Sequence, residues 1–129
     1  MTGCRYTLSK AERLSWKRYV DRLFLNGQSF IAYPLRVVYL PIEEVLGVPA
    51  SFLVSVPKKK FKRAVKRNLI KRQVREAYRV HKQELYDSLV LSGKQLLVAF
   101  IYLDKEIVSF PEIEKAMTKA IRLLQEKVR

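Results

Sequence analysis

The sequence LLVAFIYL, at residues 96–103, decides the fold class of this chain. It is apolar without alternation and rich in residues that favour β-strands, which is typical of a strand covered on both faces. We therefore expect this segment at the middle of a sheet. A second apolar segment, SFLVSV at residues 51–56, ends before Pro57 and predicts another strand.

Extended structure is also predicted upstream of these two segments. From Gln28 onward the pattern is extended, and Pro34 is expected to interrupt it. In residues 35–40, LRVVYL, alternate positions are apolar, so one or two strands are expected before residue 41. Residues 41–49 contain two prolines, a glycine and two glutamates, and they predict a loop.

Helices are predicted at both ends of the chain. Ser9 and Glu12 have capping-box spacing, and an apolar stripe follows them until Asn26-Gly27 ends it. The members of that stripe are Trp16, Tyr19, Val20, Leu23 and Phe24. Ser109 and Glu112 repeat the capping spacing before a C-terminal helix. Its expected buried stripe is Ile113, Met117, Ala120, Leu124 and Val128.

The order of these elements predicts an α+β fold. We expect a small single-domain sandwich over residues 1–129, in the order α-β-β-β-α-β-α, with about four strands packed against helices. Residues 1–8 are the segment of this domain that could be flexible. The only cysteine, Cys4, allows no intrachain disulfide, so the cytoplasm is the default location. The longest apolar run is too short to span a membrane, and we expect neither export nor membrane insertion.

The charge balance restricts the class of partner. The chain has 26 Lys and Arg against 12 Asp and Glu, a net charge of +14. A surface of this kind favours a polyanion, so nucleic acid comes first and a membrane surface or an acidic protein second. An unaided metabolic enzyme is disfavoured.

Twelve of the 26 positive charges lie in the segment from Lys58 to Lys82, where Glu76 is the only acid. A helical projection places the polar residues on one arc of about 140°. These are Arg67, Asn68, Lys71, Arg72, Arg75, Arg79 and Lys82. The opposite arc contains Leu69, Ile70, Val74, Ala77 and Val80. Cations without interleaved carboxylates repel one another, so we expect phosphates to face them. RNA is preferred over DNA because the sequence shows no zinc site, zipper or paired recognition helix.

The sequence KKFKRAVKRNLIKRQVRE, at residues 59–76, resembles the signature of the bacterial ribonuclease P protein subunit. That signature is Lys-Lys, three residues, Ala-Val, one residue, Arg-Asn-Arg, one residue, Lys-Arg, two residues and Arg-Glu. The spacing matches throughout, and Phe24 to Gly27 matches the Phe-x-x-Gly that ends the family's first helix. The resemblance implies a fold shared with a ribosomal protein domain, with an unusual left-handed β-α-β crossover around the signature helix.

The resemblance implies a protein that joins the ribonuclease P catalytic RNA in the endonuclease that removes 5′ leaders from precursor tRNA. The chemistry would belong to the RNA and its Mg²⁺ ions, without an organic cofactor or a catalytic residue in the protein. The isolated chain is then expected to be inactive. The resemblance leaves metal sites in the protein unknown, and it implies no DNA or membrane partner.

The signature and its neighbouring charges predict an RNA-binding set on this helix. The set is Lys59, Lys60, Arg63, Lys66, Arg67, Asn68, Lys71, Arg72, Arg75 and Arg79. The resemblance also implies a cleft for the single-stranded leader, lined by Val20, Phe24 and Tyr39. Helical spacing alone favours a core position for Phe24. Leu69 replaces the third residue of Arg-Asn-Arg, and the projection places it at the edge of the buried arc.

Other functions remain open at this point. A ribosomal or other structural RNA-binding protein would explain the charge but not the whole signature. A membrane-surface protein is disfavoured because the apolar arc is modest and aliphatic. Nuclease activity in the protein itself is disfavoured because its carboxylates are scattered and its single histidine, His81, is expected to have a packing role.

Overall fold

The computed structural model describes Leu14, residues 17–43 and residues 48–128. In these ranges the order is α1 (Lys17–Asn26), β1 (Gln28–Ala32), β2 (Leu35–Ile42), β3 (Ala50–Ser55), α2 (Ala64–Ser92), β4 (Gln95–Tyr102) and α3 (Phe110–Lys127). The predicted α+β order is therefore confirmed. The predicted capping box at Ser9 and the first apolar residue, Trp16, lie outside the described residues.

The four strands form one mixed sheet in the order β1-β2-β4-β3. β4 is antiparallel to β2 and parallel to β3, so the prediction that LLVAFIYL supplies an interior strand is confirmed. Leu96 to Phe100 are all 0% exposed, because helices cover both faces of the sheet at this strand. Continuous burial explains why the segment lacks the alternation of a half-exposed strand.

β2 is longer than the sequence predicts. Pro41 and Ile42, expected in a loop, pair with Leu96 and Gln95 of β4. Ile42 is buried beneath α1, and its burial favours continuation of the strand. Pro41 lies beyond Tyr39, where β1 pairing ends, and proline is tolerated at such ladder margins. The rest of the predicted loop includes residues 44–47, which lie outside the described ranges.

The two faces of the sheet carry separate cores. α2 and α3 cover one face, where Val37, Phe52 and Phe100 are buried. α1 covers the other face, where Leu23 packs with Val38 and Leu97. Neighbouring residues of one strand therefore contribute to different cores, as the two-residue period of a strand requires. The handedness of the parallel β3-α2-β4 crossover stays a prediction.

Burial along α2 departs from the projected arcs. Ile70, Val74 and Ala77 are buried as predicted, and so is Tyr78, which the projection did not select. Lys82 was predicted on the exposed arc, but it is 3% exposed, with its ammonium 5.2 Å from the Tyr86 ring centre. The prediction for Lys82 is wrong because α3 flanks the second half of α2 in addition to the sheet. A helix packed on two sides has no single buried arc.

The C-terminal helix begins and packs close to prediction. Ser109 is the residue before α3, and its carbonyl accepts hydrogen bonds from the N–H groups of Glu112 and Ile113. Its side chain makes no capping bond, so only the position of the predicted capping box is confirmed. The whole predicted stripe, from Ile113 to Val128, is buried.

Gly27 ends α1 where there is no space for a side chain. A Cβ at this position would lie 2.3 Å from the carbonyl oxygen of Leu23 and 3.0 Å from that of Tyr39. We expect Gly27→Ala to lower the free energy of unfolding by about 1–3 kcal/mol, the usual cost of overpacking a rigid site. Urea denaturation measures this change.

The control for Gly27 is Gly93, the C-cap of α2. Gly93 has a φ of 71°, and no atom would lie within 4 Å of a Cβ built at this position. Glycine is therefore favoured here by the left-handed backbone conformation and not by lack of space. Asparagine tolerates left-handed backbone, so we expect Gly93→Asn to be nearly neutral. An equal loss in the two variants would contradict the steric account of Gly27.

Candidate nucleic-acid interface

The segment before α2 and the N-terminal part of the helix present the predicted RNA-binding residues to solvent. Lys59, Lys60, Arg63, Lys66, Asn68 and Arg72 are exposed, and Arg67, Lys71, Arg75 and Arg79 are half-buried. They lie opposite Ile70 and Val74, which anchor α2 in the core. We call the six exposed residues, together with Arg67 and Lys71, the α2 face. The sequence placed the residues of this face on the correct side because the core side of this part of the helix is purely apolar.

Some cations of the predicted set already have partners within the chain. Arg67 donates from Nη1 to the carbonyl oxygens of Phe61 and Lys62, both at 2.8 Å, and so ties down the segment before α2. Arg79 donates from Nε to Glu76 at 3.0 Å. This hydrogen bond lowers the pKa of Glu76 and raises the pKa of Arg79. Arg75 also has an interaction within the chain.

The remaining cations of the α2 face are electrostatically unopposed. Lys66, Lys71 and Arg72 have no ion-pair partner among the residues that the structure describes. Their mutual repulsion opposes folding slightly, and a phosphate backbone would remove it while releasing counterions. The charge of these three residues is therefore available to an RNA ligand.

A shallow groove of about 390 Å³ extends the α2 face at the start of the helix. Its lining is Lys60, Phe61, Lys62, Arg63, Lys66, Lys105, Glu106 and Ile107. Lys60 donates from Nζ to the carbonyl oxygen of Leu103, which joins the segment before α2 to the end of β4. Five cations against one carboxylate make this groove a site for an anion rather than for a cation.

Leu69 and Val65 interrupt the charge with an apolar strip. Leu69 is 39% exposed and Val65 is 80% exposed, one helical turn apart. The partial exposure of Leu69, between those of Val65 and the buried Ile70, agrees with its projection at the edge of the buried arc. Leucine cannot bond a phosphate, so only apolar contact with sugar or base is available here.

The structure separates the three residues predicted for the leader cleft. Phe24 is 47% exposed, so the core position that helical spacing favoured is wrong. Val20 is half-buried against the core beneath α1. Tyr39 lies on the opposite face of the sheet, 5% exposed, and its hydroxyl donates to Gln28 Oε1 at 2.9 Å. Tyr39 therefore cannot line one cleft with Val20 and Phe24.

The strand period explains this error and indicates other candidates. Tyr39 is one residue from Val38 and Leu40, whose side chains are on the α1 side. Leu40 and Ile101 are half-buried beside α1, and neither was selected from the sequence. Tyr19 of α1 has the guanidinium groups of Arg18 and Arg22 at 5.3 and 5.9 Å from its ring centre. Strict alternation along β2 was the signal that could have identified the correct face.

Metal-ligating side chains do not converge in the described part of the chain. Among residues 14, 17–43 and 48–128, no three His, Cys, Asp or Glu side chains are grouped to hold a metal ion. His81 lies 3.0 Å from Glu114 and links α2 to α3, in agreement with a packing role. None of the described helices has the length and apolarity needed to cross a membrane.

Comparison with known proteins supports the family resemblance that the sequence of the signature helix indicates. The family model described as Ribonuclease P matches residues 8–125. The ribonuclease P protein component of Porphyromonas gingivalis is 45% identical over 118 residues, covering 90% of this chain and 85% of the relative. That of Petrotoga mobilis is 30% identical over 122 residues, covering 92% of this chain and 96% of the relative.

Two solved structures share the fold. The RNase P protein of Staphylococcus aureus superposes with a TM-score of 0.67 at 24% identity, covering 88% of this chain and 95% of that one. The RNase P protein from Thermotoga maritima gives a TM-score of 0.64 at 24% identity, covering 89% and 96%.

Proposed function

The chain belongs to the ribonuclease P protein family, and on that premise we propose how it acts within the endoribonuclease. The α2 face binds the catalytic RNA, and the α1 side of the sheet contacts the 5′ leader of precursor tRNA. The holoenzyme then cleaves the leader to give the mature 5′ end of the tRNA. The cytoplasm is the proposed location of this reaction.

The unopposed charge of the α2 face is the observation that carries this proposal. Lys66, Lys71 and Arg72 lie on a helix anchored by Ile70 and Val74, so the backbone that carries them is ordered before RNA arrives. Binding then has to order only the side chains, and each phosphate contact adds affinity through counterion release. A ribosomal or other structural RNA-binding protein would need the same charge, but the match to the family model favours the ribonuclease P reading.

The proposed division of labour places bond cleavage on the RNA. Mg²⁺ bound with that RNA would activate water and stabilise the charge that develops on the phosphate. The protein contributes binding and orientation: cations on the α2 face neutralise phosphates, and the exposed Phe24 ring offers a surface on which an unpaired base can stack. We expect no cleavage by the protein alone.

Reconstitution tests the proposal directly. Adding the full chain to a bacterial ribonuclease P RNA at low Mg²⁺ should increase cleavage of a precursor tRNA at the 5′ end of its mature sequence. The increase is expected because neutralised phosphates let RNA and substrate approach at lower ionic strength. Product length on a sequencing gel identifies the cleaved bond.

Two controls accompany the reconstitution. An unrelated basic protein of equal net charge should not reproduce the increase, because it lacks the arrangement of the α2 face. The chain without RNA should leave the precursor intact. An absence of stimulation would contradict the proposed function, and accurate cleavage without RNA would contradict the division of labour.

A further inference from the structure

A second groove lies between the turn joining β1 to β2 and helix α3. Its volume is about 590 Å³, and its lining includes Tyr33, Pro34, Val108, Lys115, Lys119 and Arg122. We call it the α3 groove. None of its lining residues belongs to the signature helix or to the α1 side of the sheet, so the proposed function leaves this groove without a role.

Three cations form one wall of the α3 groove. Lys115, Lys119 and Arg122 are exposed and spaced four and three residues apart, which places them on one face of α3. None has an ion-pair partner among the residues that the structure describes. Glu112 is the only carboxylate in the lining. The wall therefore has an excess of positive charge, which fits an anionic ligand.

An aromatic ring stands opposite these cations. Tyr33 is 64% exposed, and its hydroxyl is hydrogen-bonded to the Asp104 carboxylate. Asp104 in turn accepts a hydrogen bond from the backbone N–H of Glu106 at 3.0 Å. The loop that contains Asp104 and Glu106 therefore orients the Tyr33 ring, while the ring stays exposed to solvent. An open aromatic face beside cations is the combination that binds single-stranded nucleic acid.

The α3 groove is continuous with the α2 face around one end of the sheet. Leu103 donates from its N–H to the carbonyl of Pro34 at 2.8 Å and accepts from Lys60 through its own carbonyl. Ile107 lines the groove beside α2, and the next residue, Val108, lines the α3 groove. An RNA strand bound at the start of α2 can therefore reach the α3 groove by crossing the loop that follows β4.

We propose that the α3 groove binds a single-stranded segment of the catalytic RNA, with phosphates on Lys115, Lys119 and Arg122 and a base stacked on Tyr33. This inference rests on the proposed function, which places the same RNA on the α2 face. Continuity between the two surfaces favours the catalytic RNA over precursor tRNA as the occupant. The protein then holds that RNA along two elements, α2 and α3, rather than along one helix.

Matched charge variants test the cationic wall. K115Q/K119Q removes two charges from the α3 groove. K94Q/K127Q removes two exposed charges outside the groove, one just before β4 and one at the C-terminal end of α3. With the full chain and catalytic RNA, we expect K115Q/K119Q to weaken binding about tenfold at 0.15 M salt and to lower the salt slope by about 1.4. The control pair should bind as wild type does.

A second pair of variants tests the aromatic surface. Tyr33→Ala removes the ring, and Tyr33→Phe keeps the ring while removing the hydroxyl bonded to Asp104. We expect Tyr33→Ala to weaken binding roughly tenfold, within the range measured for loss of one base–aromatic stack. Tyr33→Phe should stay within about twofold of wild type. Equal losses in the two variants would overturn the stacking role.

The outcomes separate this inference from the proposed function. If wild type stimulates cleavage and K115Q/K119Q binds catalytic RNA as K94Q/K127Q does, the α3 groove proposal is overturned while the function stands. If K115Q/K119Q weakens only the affinity of the holoenzyme for precursor tRNA, the choice of RNA is overturned. If wild type fails to stimulate cleavage, the proposed function itself fails.

Discussion

Replacing Lys66, Lys71 and Arg72 together with glutamine is expected to weaken binding to the catalytic RNA about 100-fold at 0.15 M salt. Each lost phosphate contact costs about fivefold under these conditions, because fewer counterions are released from the RNA. These three residues are suited to the test because none of them forms an ion pair with a carboxylate among the described residues. Their charge is therefore wholly available to the ligand.

The measurement is a titration of catalytic RNA at several salt concentrations. The slope of log K against log salt should fall by about 2 to 3 units in the triple variant. K17Q/K94Q/K127Q is the control, because it removes the same net charge from exposed positions off the α2 face. If both triples lower the slope equally, binding depends on net charge alone and the α2 face has no special role.

Arg67 is left out of this triple variant for a structural reason. Its guanidinium bonds the carbonyl oxygens of Phe61 and Lys62 in the free protein. Replacement would release the segment before α2 as well as remove a charge, so a loss of affinity would have two causes. Arg79, paired with Glu76, presents the same difficulty.

Tyr78→Ala is expected to lower the free energy of unfolding by about 4 kcal/mol. Tyr78 is 0% exposed and stacks on Phe52 with ring centres 4.2 Å apart. Its ring also lies 5.5 Å from that of Phe100 in β4. Truncation would leave a cavity where α2, β3 and β4 meet, and rigid neighbours in three elements cannot collapse to fill it. Urea denaturation followed by circular dichroism measures the change.

Tyr78→Phe is the matched control. It keeps the ring and removes only the hydroxyl, which donates to the Tyr86 hydroxyl at 3.1 Å. A single buried hydrogen bond contributes about 1 kcal/mol net, so this variant should lose roughly a quarter as much stability. A loss in Tyr78→Phe as large as that in Tyr78→Ala would show that the hydrogen bond, rather than ring packing, holds α2 on the sheet.

Predictions from the sequence were correct where the burial of a residue depends on one element alone. LLVAFIYL predicted an interior strand because a strand covered by helices on both faces needs an unbroken apolar run, and such a run can be recognised in the sequence. The cations of the α2 face were placed correctly because Ile70 and Val74 define the core side within two turns. Tyr78 was missed because the helical projection places it on the charged arc, about 20° from Arg67, whereas its ring is buried between α2 and the sheet.

The sequence by itself determined the order of elements, the interior strand, the charge and the signature that identifies the family. Only the tertiary structure decided which residues share a surface. Tyr39 and Phe24 lie on different sides of the sheet because a shift of one residue along a strand changes the face on which the side chain lies. Lys82 is buried because α3 packs beside α2. The α3 groove joins Tyr33 to Lys119, distant in the chain, because the turn after β1 packs near α3. Periodicity records the environment of one element, whereas surfaces are built where several elements meet.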